Sequence, residues 1–274
     1  METPPVIMSN EDYHTRPEIS KSQVDMVADD PHRLDWAKKC PQDQEKIKTF
    51  DFGDAMHAIC LEPDRLKSDF VVMPPFNLRT NAGKAERDQF HAEHGNKKIL
   101  TDADHKKLNL MFESVMAHKE ARELIEADGI CEGSWFWTDP DTGVECRCRP
   151  DKKIGHLLVD VKTTELLSKF CYSVDDYRYF VQDPFYCDGL IANDCDLAHM
   201  QFLVIQKHIE IGRYPVMVVR LPEEAIEYGR MIYKRDLKAL LSFREQGIET
   251  KELPMHYRFM EAAMELTTEI SYDD

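Results

Sequence analysis

The stretch C-R-C-R-P-D-K-K-I-G-H-L-L-V-D-V-K-T-T, from Cys146 to Thr164, holds two short strand-like runs that meet at a polar turn. Each run carries an acidic residue, Asp151 in the first and Asp160 in the second. Side chains alternate faces along a strand, so Asp160 and Lys162 point one way while Val159 and Val161 point the other way, toward a core. A hairpin of this length brings Asp151 and Asp160 together. Two close carboxylates repel and raise each other's pKa. A hard divalent cation relieves that conflict, and Lys162 beside it can neutralise charge or orient and help deprotonate a water. The same residues also fit a hairpin with a surface ion pair. The stretch alone does not choose between the two.

With 274 residues and 42% hydrophobic content, the chain can bury a proper core, as one large domain or two small ones. No run approaches the apolar length of a membrane span, and Met1 to Tyr13 carries no signal pattern. The expectation is a soluble, cytoplasmic protein with no membrane partner. Eight cysteines scattered through a chain of this size argue against a disulfide framework and are expected to be reduced. The net charge of −16 disfavours phosphate binding unless basic groups are focused into a groove or channel.

Reading outward, Ser20 or Ser22 caps a helix through Val24, Val27 and Leu34 to about Lys39, with Asp30-Pro31 as an interruption. A second helix covers Phe50 to Leu61 and puts Gly53 and His57 on one face. Residues 62–100 are poorly periodic, with Pro74-Pro75 and Thr80 to Lys84 reading as loops. A helix runs from Thr101 or Asp102 to about Ala127. Strands follow at Ser134 to Thr138, Val144 to Arg149 and Leu157 to Thr163, the first two joined by a turn at Asp139 to Gly143. The helical region from Glu165 to Asn193 places Gln182 and Tyr186 on one face, and Pro184 is expected to kink or restart it. Strands at Met200 to Gln206 and Tyr214 to Leu221, a helix from Glu223 to Glu245 and an acidic tail complete the chain. The order is helices, then β-β-β-α-β-β-α: an α/β (α+β) fold with a mixed sheet flanked by helices.

Taken alone, His57 fits a structural histidine better than a ligand, and Glu132 fits a solvated charge. Cys146 and Cys148 share one strand face without a second close pair, and Cys187 and Cys195 are too far apart for a zinc knuckle. There is no P-loop spacing and no local signature of a Ser/His/Asp or Cys/His triad.

Several pieces occur together and in order: Gly53-x-x-x-His57, Glu132, Arg149-Pro150-Asp151, Asp160-Val161-Lys162 and Gln182-x-x-x-Tyr186. This set resembles the RecB-type branch of the PD-(D/E)xK nucleases, and within it the RecE (exodeoxyribonuclease VIII) nuclease domains. The likeness extends to Ser9 to His14, Ser20 to Gln23, Thr80 to Lys84, Tyr177 to Tyr179 and Gly212 to Val216. It implies one PD-(D/E)xK exonuclease domain over 1–274, with a helical part to about 127, a catalytic sheet core over about 128–221 and a helix and tail beyond. It further implies a Mg2+-dependent enzyme, with Mn2+ as a substitute, that degrades one strand of linear duplex DNA from the 5′ end. The products are 5′-mononucleotides and a 3′ tail that a RecT-type annealing protein loads onto, and the assembly is a toroidal homotetramer.

Carried over by position, His57, Asp151 and Asp160 ligate metal with the carbonyl of Val161. Lys162 positions the water, Glu132 is a further carboxylate of the site, and Gln182 and Tyr186 contact DNA or orient the centre. Arg147 and Arg149 are expected to face DNA phosphates, and Ser20, Lys21, Ser22 and Arg79 to form a 5′-phosphate pocket. The rivals are an endonuclease with the same centre and a DNA-end-binding module that does not cut.

Overall fold

The computed structural model describes residues 2–41, 52–196 and 199–246. The acidic tail and the Phe50 start of the second expected helix lie outside them. The described chain begins with three short helices, α1 (Asn10–Thr15), α2 (Lys21–Asp29) and α3 (His32–Lys39). The break between α2 and α3 falls at Asp30-Pro31, where proline has no N–H to continue the first helix. Next come α4 (Phe52–Leu61), α5 (Pro63–Asp69), β1 (Phe70–Val72), α6 (Asn81–His94), β2 (Lys98–Leu100), α7 (Asp102–Ala117) and α8 (Lys119–Glu126). Four of these elements fall in residues 62–100, which the sequence leaves without periodicity. Thr80 is not mid-loop but caps α6, its hydroxyl accepting from the Gly83 N–H at 3.0 Å. The single helix expected from Thr101 to Ala127 is two, divided at His118, whose ring nitrogen accepts from Ala121 N–H and starts α8.

The sheet elements are β3 (Ile130–Cys131), β4 (Trp135–Thr138), β5 (Glu145–Cys148), β6 (Lys152–Ile154), β7 (Leu157–Thr164), β8 (His199–Gln206) and β9 (Val216–Val219). A 3-10 turn (Leu167–Lys169), α9 (Phe170–Asp176) and α10 (Tyr179–Ile191) connect β7 to β8, and α11 (Glu223–Gln246) follows β9. The main sheet has the order β3-β6-β7-β8-β9. Its β7–β8 pair is parallel and its other pairs are antiparallel, so it is a mixed sheet as the sequence implies. The antiparallel partner of β7 is β6 and not the expected run from Val144 to Arg149; β4 and β5 form a two-stranded sheet of their own. Pro150 lies between β5 and β6 and cannot donate to a ladder, which accounts for the separation.

Two cores cover the two faces of the sheet. Val159, Val161, Leu203 and Ile205 pack with α4, α7 and α8 through Met56, Leu108, Met111, Val115 and Leu124. Leu158, Met200, Phe202 and Val204 pack on the other face with Trp135, Trp137, Val181, Phe185, Tyr233 and Leu237. The alternation along β7 thus sends Asp160 and Lys162 to the face that α10 covers. That helix runs through Pro184 instead of breaking there. Proline's missing N–H leaves the Phe180 carbonyl without its helical donor, and Gly229 of α11 packs directly against that carbonyl.

Candidate active site

The centre is built at the open end of the β6–β7 hairpin. Lys152 pairs with Val159, and extending that register by one residue sets Asp151 across from Asp160. Asp151 is not left to repel its neighbour freely, since its Oδ2 accepts the backbone N–H of Val161 at 2.7 Å. Asp160 is almost wholly buried; it accepts a hydrogen bond from the Gln182 side-chain amide and ion-pairs with the Lys162 ammonium at 2.5 Å. Its Oδ2 is the oxygen that faces that ammonium. A buried carboxylate beside a second carboxylate is suited to a cation.

From the other face of the sheet, α4 delivers His57. Its Nε2 lies 3.2 Å from Glu132 Oε1 and 3.3 Å from Asp151 Oδ1, and its Nδ1 lies 3.8 Å from Glu62 Oε2. His57, Glu62 and Glu132 present ligand atoms within 4.8 Å of one another. Glu132 holds a left-handed backbone (φ 53°), a strained state for a glutamate that aims its carboxylate at the histidine. These groups line one cavity of about 680 Å³ together with Arg65, Arg149, Lys162, Thr163 and Tyr179.

The titration behaviour follows from this crowding. Burial pushes the Asp160 carboxyl up, Asp151 pushes it further, and Lys162 and Gln182 only partly oppose them, leaving it at about 6. For Asp151, burial acts upward, but His57, Lys162 and the Val161 N–H outweigh it and hold the carboxyl below its usual range. Burial acts against a charged His57, yet Asp151 and Glu132 hold the imidazolium protonated up to about 11. Lys162, too, stays charged against its burial, because Asp160 and Asp151 face it. The protonated histidine fills the place of a cation among carboxylates. The oxygen-rich donor set with one imidazole fits a divalent cation.

The structure therefore brings His57, Glu132, Asp151, Asp160, Val161, Lys162 and Gln182 together. Tyr186 is half-buried on the same face of α10 as Gln182, close enough to Asp160 and Asp151 to feel their charge. Arg149 lines the cavity, with its guanidinium 4.1 Å from the centre of the Tyr13 ring and its Nε donating to Ser134 Oγ at 2.9 Å. Arg147 has a different place from the one expected. It is buried, donating to the carbonyls of Arg16 (2.8 Å) and Glu18 and stacking on Tyr13, and it anchors the N-terminal segment instead of facing the cavity.

The expected 5′-phosphate group is also not gathered at the cavity. Ser20 begins α2, where Gln23 Oε1 accepts its N–H at 2.9 Å. Ser22 is exposed, with its hydroxyl 3.1 Å from that of Ser20. The Lys21 ammonium pairs with Asp25 at 2.7 Å and donates to the Tyr177 carbonyl at 2.6 Å. Arg79 is exposed in the segment before α6. None of the four lines that cavity. Sequence reading missed Glu62. It stands five residues beyond His57, just past the end of α4, and no local pattern marks it. Tyr179 was seen only as part of a resemblance; its ring lies 4.8 Å from the Lys162 ammonium.

A mixed sheet flanked by helices, with Pro150-Asp151 and Asp160-Val161-Lys162 on its central hairpin, defines a PD-(D/E)xK-type protein. The chain belongs to the family described as PDDEXK-like domain of unknown function DUF3799, whose model matches residues 23–252. Among solved structures, a “putative exonuclease” from Eubacterium rectale is similar at 10% identity, with 92% of each chain covered and a TM-score of 0.56, which speaks for the fold. An alkaline exonuclease from Laribacter hongkongensis (11% identity, 87% of this chain and 95% of that one, TM-score 0.32) is a weaker likeness. So is a phage-related exonuclease from Haemophilus somnus (12%, 61% and 84%, TM-score 0.31). No curated protein matches the chain.

Proposed function

We propose that the chain is a Mg2+-dependent exodeoxyribonuclease of RecE type, with Mn2+ able to substitute, acting as one catalytic unit. It degrades one strand of linear duplex DNA from the 5′ end, releasing 5′-mononucleotides and leaving a 3′ tail for a RecT-type annealing partner. A toroidal homotetramer would enclose the duplex. The observation that carries the reading is the convergence of Asp151, Asp160 and Lys162 at the hairpin with His57 and Glu132 in the same cavity.

In this reading Asp151, Asp160 and His57 hold the cation, with Glu132 and Glu62 next to it. When bound, the cation polarises the scissile phosphate and lowers the pKa of a bound water. Lys162 is a charged donor in this setting. It would orient the water oxygen and offset charge growing on the phosphate, and the water's proton would be lost to solvent in the open cavity. Gln182 holds one Asp160 oxygen by donating to it, which fixes the carboxylate's direction. Arg149 supplies a further positive charge at the cavity wall.

The deciding experiment offers the protein linear and covalently closed circular duplexes, 5′- or 3′-labelled where ends exist, with Mg2+. Early release of the 5′ label from linear DNA alone is expected. Cutting of the closed circle would move the assignment to an endonuclease. Undiminished cleavage by Lys162→Ala or Asp160→Ala would remove the site itself.

A further inference from the structure

Three aromatic rings run from the sheet beside the catalytic pair out to solvent. Phe202 is buried on β8 and stands opposite Asp160 in the β7–β8 register. Tyr179 stacks on it, with centroids 5.7 Å apart and planes at 27°. Tyr177 stacks on Tyr179 at 5.7 Å and 24°. The middle ring lines the catalytic cavity, with the Lys162 ammonium 4.8 Å from its centre. The outer ring is 62% exposed.

The backbone that presents these rings is held from below. Arg178, between the two tyrosines, has a left-handed conformation (φ 52°), and its guanidinium is tied to Asp25 at 3.2 Å and Asp236 at 2.5 Å. The Lys21 ammonium holds the Tyr177 carbonyl at 2.6 Å. A left-handed arginine persists only where its surroundings over-determine it. The fold therefore holds the backbone of an exposed aromatic residue whose ring lies one ring spacing from the tyrosine that contacts Lys162.

We propose that Tyr177 is a stacking platform for a nucleobase of the strand being cut, seating it within a nucleotide or two of the scissile phosphate. The inference rests on the reading of the site as a DNA nuclease. A base on the outer face of Tyr177 continues the series Phe202–Tyr179–Tyr177. Every base has a π-face, so the platform is sequence-tolerant, as a non-specific exonuclease requires. Asp175 and Asp176 precede the ring in the chain, so the affinity comes from stacking and not from phosphate pairing at this position. This also explains how a chain of net charge −16 grips a strand near its centre.

The test is a double-perturbation cycle. Cleavage kinetics of linear 5′-phosphorylated duplexes, each with one abasic nucleotide moved stepwise from the 5′ end, are measured for the wild type, Tyr177→Ala, Tyr177→Leu and Tyr177→Phe. Loss of one base stack is expected to raise KM by about five- to 150-fold. Tyr177→Ala shows that rise on intact DNA with little change in kcat, and Tyr177→Phe restores wild-type KM. One abasic position costs the wild type a similar factor and costs Tyr177→Ala nothing more. The salt dependence of KM is the same in all four proteins.

Restoration by Tyr177→Leu equal to that by Tyr177→Phe would show apolar contact without stacking and overturn the proposal. Additive losses at every abasic position would overturn it as well. A wild type that cuts DNA with Tyr177→Ala indistinguishable from it sinks the platform and leaves the nuclease standing. A wild type that neither binds nor cuts DNA sinks both. Tyr177 is exposed, so the variants are expected to melt with the wild type; if alanine does not, the Leu and Phe pair still decides.

Discussion

Gly229→Ala tests whether the helix that carries Gln182 and Tyr179 is seated as described. In an ordinary helix interior this change stabilises by about 1 kcal/mol, because alanine restricts the unfolded chain. Here the new methyl would stand 2.6 Å from the Phe180 carbonyl carbon, closer still to its oxygen, and 3.2 Å from Pro184 Cγ. Carbon atoms pack at about 3.5–4.0 Å, so α11 must retreat from α10 by about 1 Å. Backbone, unlike a flexible side chain, cannot swing aside. The retreat disturbs the Tyr233 hydroxyl bond to Asp188 (2.6 Å), the Arg230–Asp188 pair (2.8 Å), the Phe180–Tyr228 stack and the edge contact of Phe185 with Tyr233. Overpacking of this kind costs about 3 kcal/mol, so the net loss is about 2 kcal/mol. At roughly 2–4 °C per kcal/mol for a chain of this size, Tm falls by about 4–8 °C. Differential scanning calorimetry at matched concentration measures it. An unchanged or raised Tm would refute the close approach of Gly229 to the carbonyl that Pro184 frees.

Three further outcomes follow from the site. A cation that takes the His57 nitrogen must displace a proton held up to about 11, so Mn2+ affinity should rise about tenfold per pH unit from 6 to 8. Below pH 6, where Asp160 also takes up a proton, the slope should steepen toward two. Calorimetric titrations in buffers of different ionisation heat count the protons released, and a pH-independent affinity would refute the ligand set. Gln182→Leu removes a donor that favours the ionised form of Asp160. The acid limb of kcat/KM should therefore move to higher pH, and a shift to lower pH would reverse the assigned role. Arg147→Gln should cost about 1.5–3 kcal/mol of stability by stripping charged hydrogen bonds from the Arg16 and Glu18 carbonyls. Chemical denaturation reads that loss, and the salt dependence of DNA binding should stay where it was.

The approach of Asp151 to Asp160 was legible because its rules are local, although the strand expected before Asp151 pairs elsewhere. Alternation set Asp160 and Lys162 opposite Val159 and Val161, and the short turn at Gly155 brought Asp151 across from Asp160. The strand Lys152–Ile154 was not legible, because two of its three residues are lysines. Both are buried, with the Lys152 ammonium donating to the carbonyls of Leu124 and Ile125 and the Lys153 ammonium to that of Gly155. Such partners are remote or conformational and leave no mark on the pattern. Helix α6 was missed for the opposite reason: Gly83 is its only fully buried residue, so it lacks an apolar stripe to read. Arg147 is taken up by the carbonyls of Arg16 and Glu18, in a segment from far along the chain that pairs with the edge of its strand through Ile19. Glu62 joins the site through the end of α4, a tertiary fact with no spacing rule behind it.

The cavity's charges also order the events of binding. Asp54, Glu62, Asp69, Glu132 and Asp151 line it, against Arg65, Arg149, Lys162 and the protonated His57. Two of the permanent cations are already neutralised. Lys162 faces Asp160, and Arg65 reaches Asp54 (2.5 Å), Glu62 (3.1 Å) and Asp69 (3.3 Å). A phosphate approaching this surface meets carboxylates first, and like charges at short range cost more as water is excluded. A divalent cation changes the sign of the local field and gives the phosphate a partner. Metal should therefore bind before DNA, and each should strengthen the other's binding by the same factor. Fluorescence anisotropy of a labelled duplex end with Ca2+, which occupies oxygen sites, and with a chelator measures the coupling. An affinity gain of at least about tenfold with the cation is expected, lost in Asp151→Asn; equal affinities in cation and chelator would mean that the end is held elsewhere on the molecule.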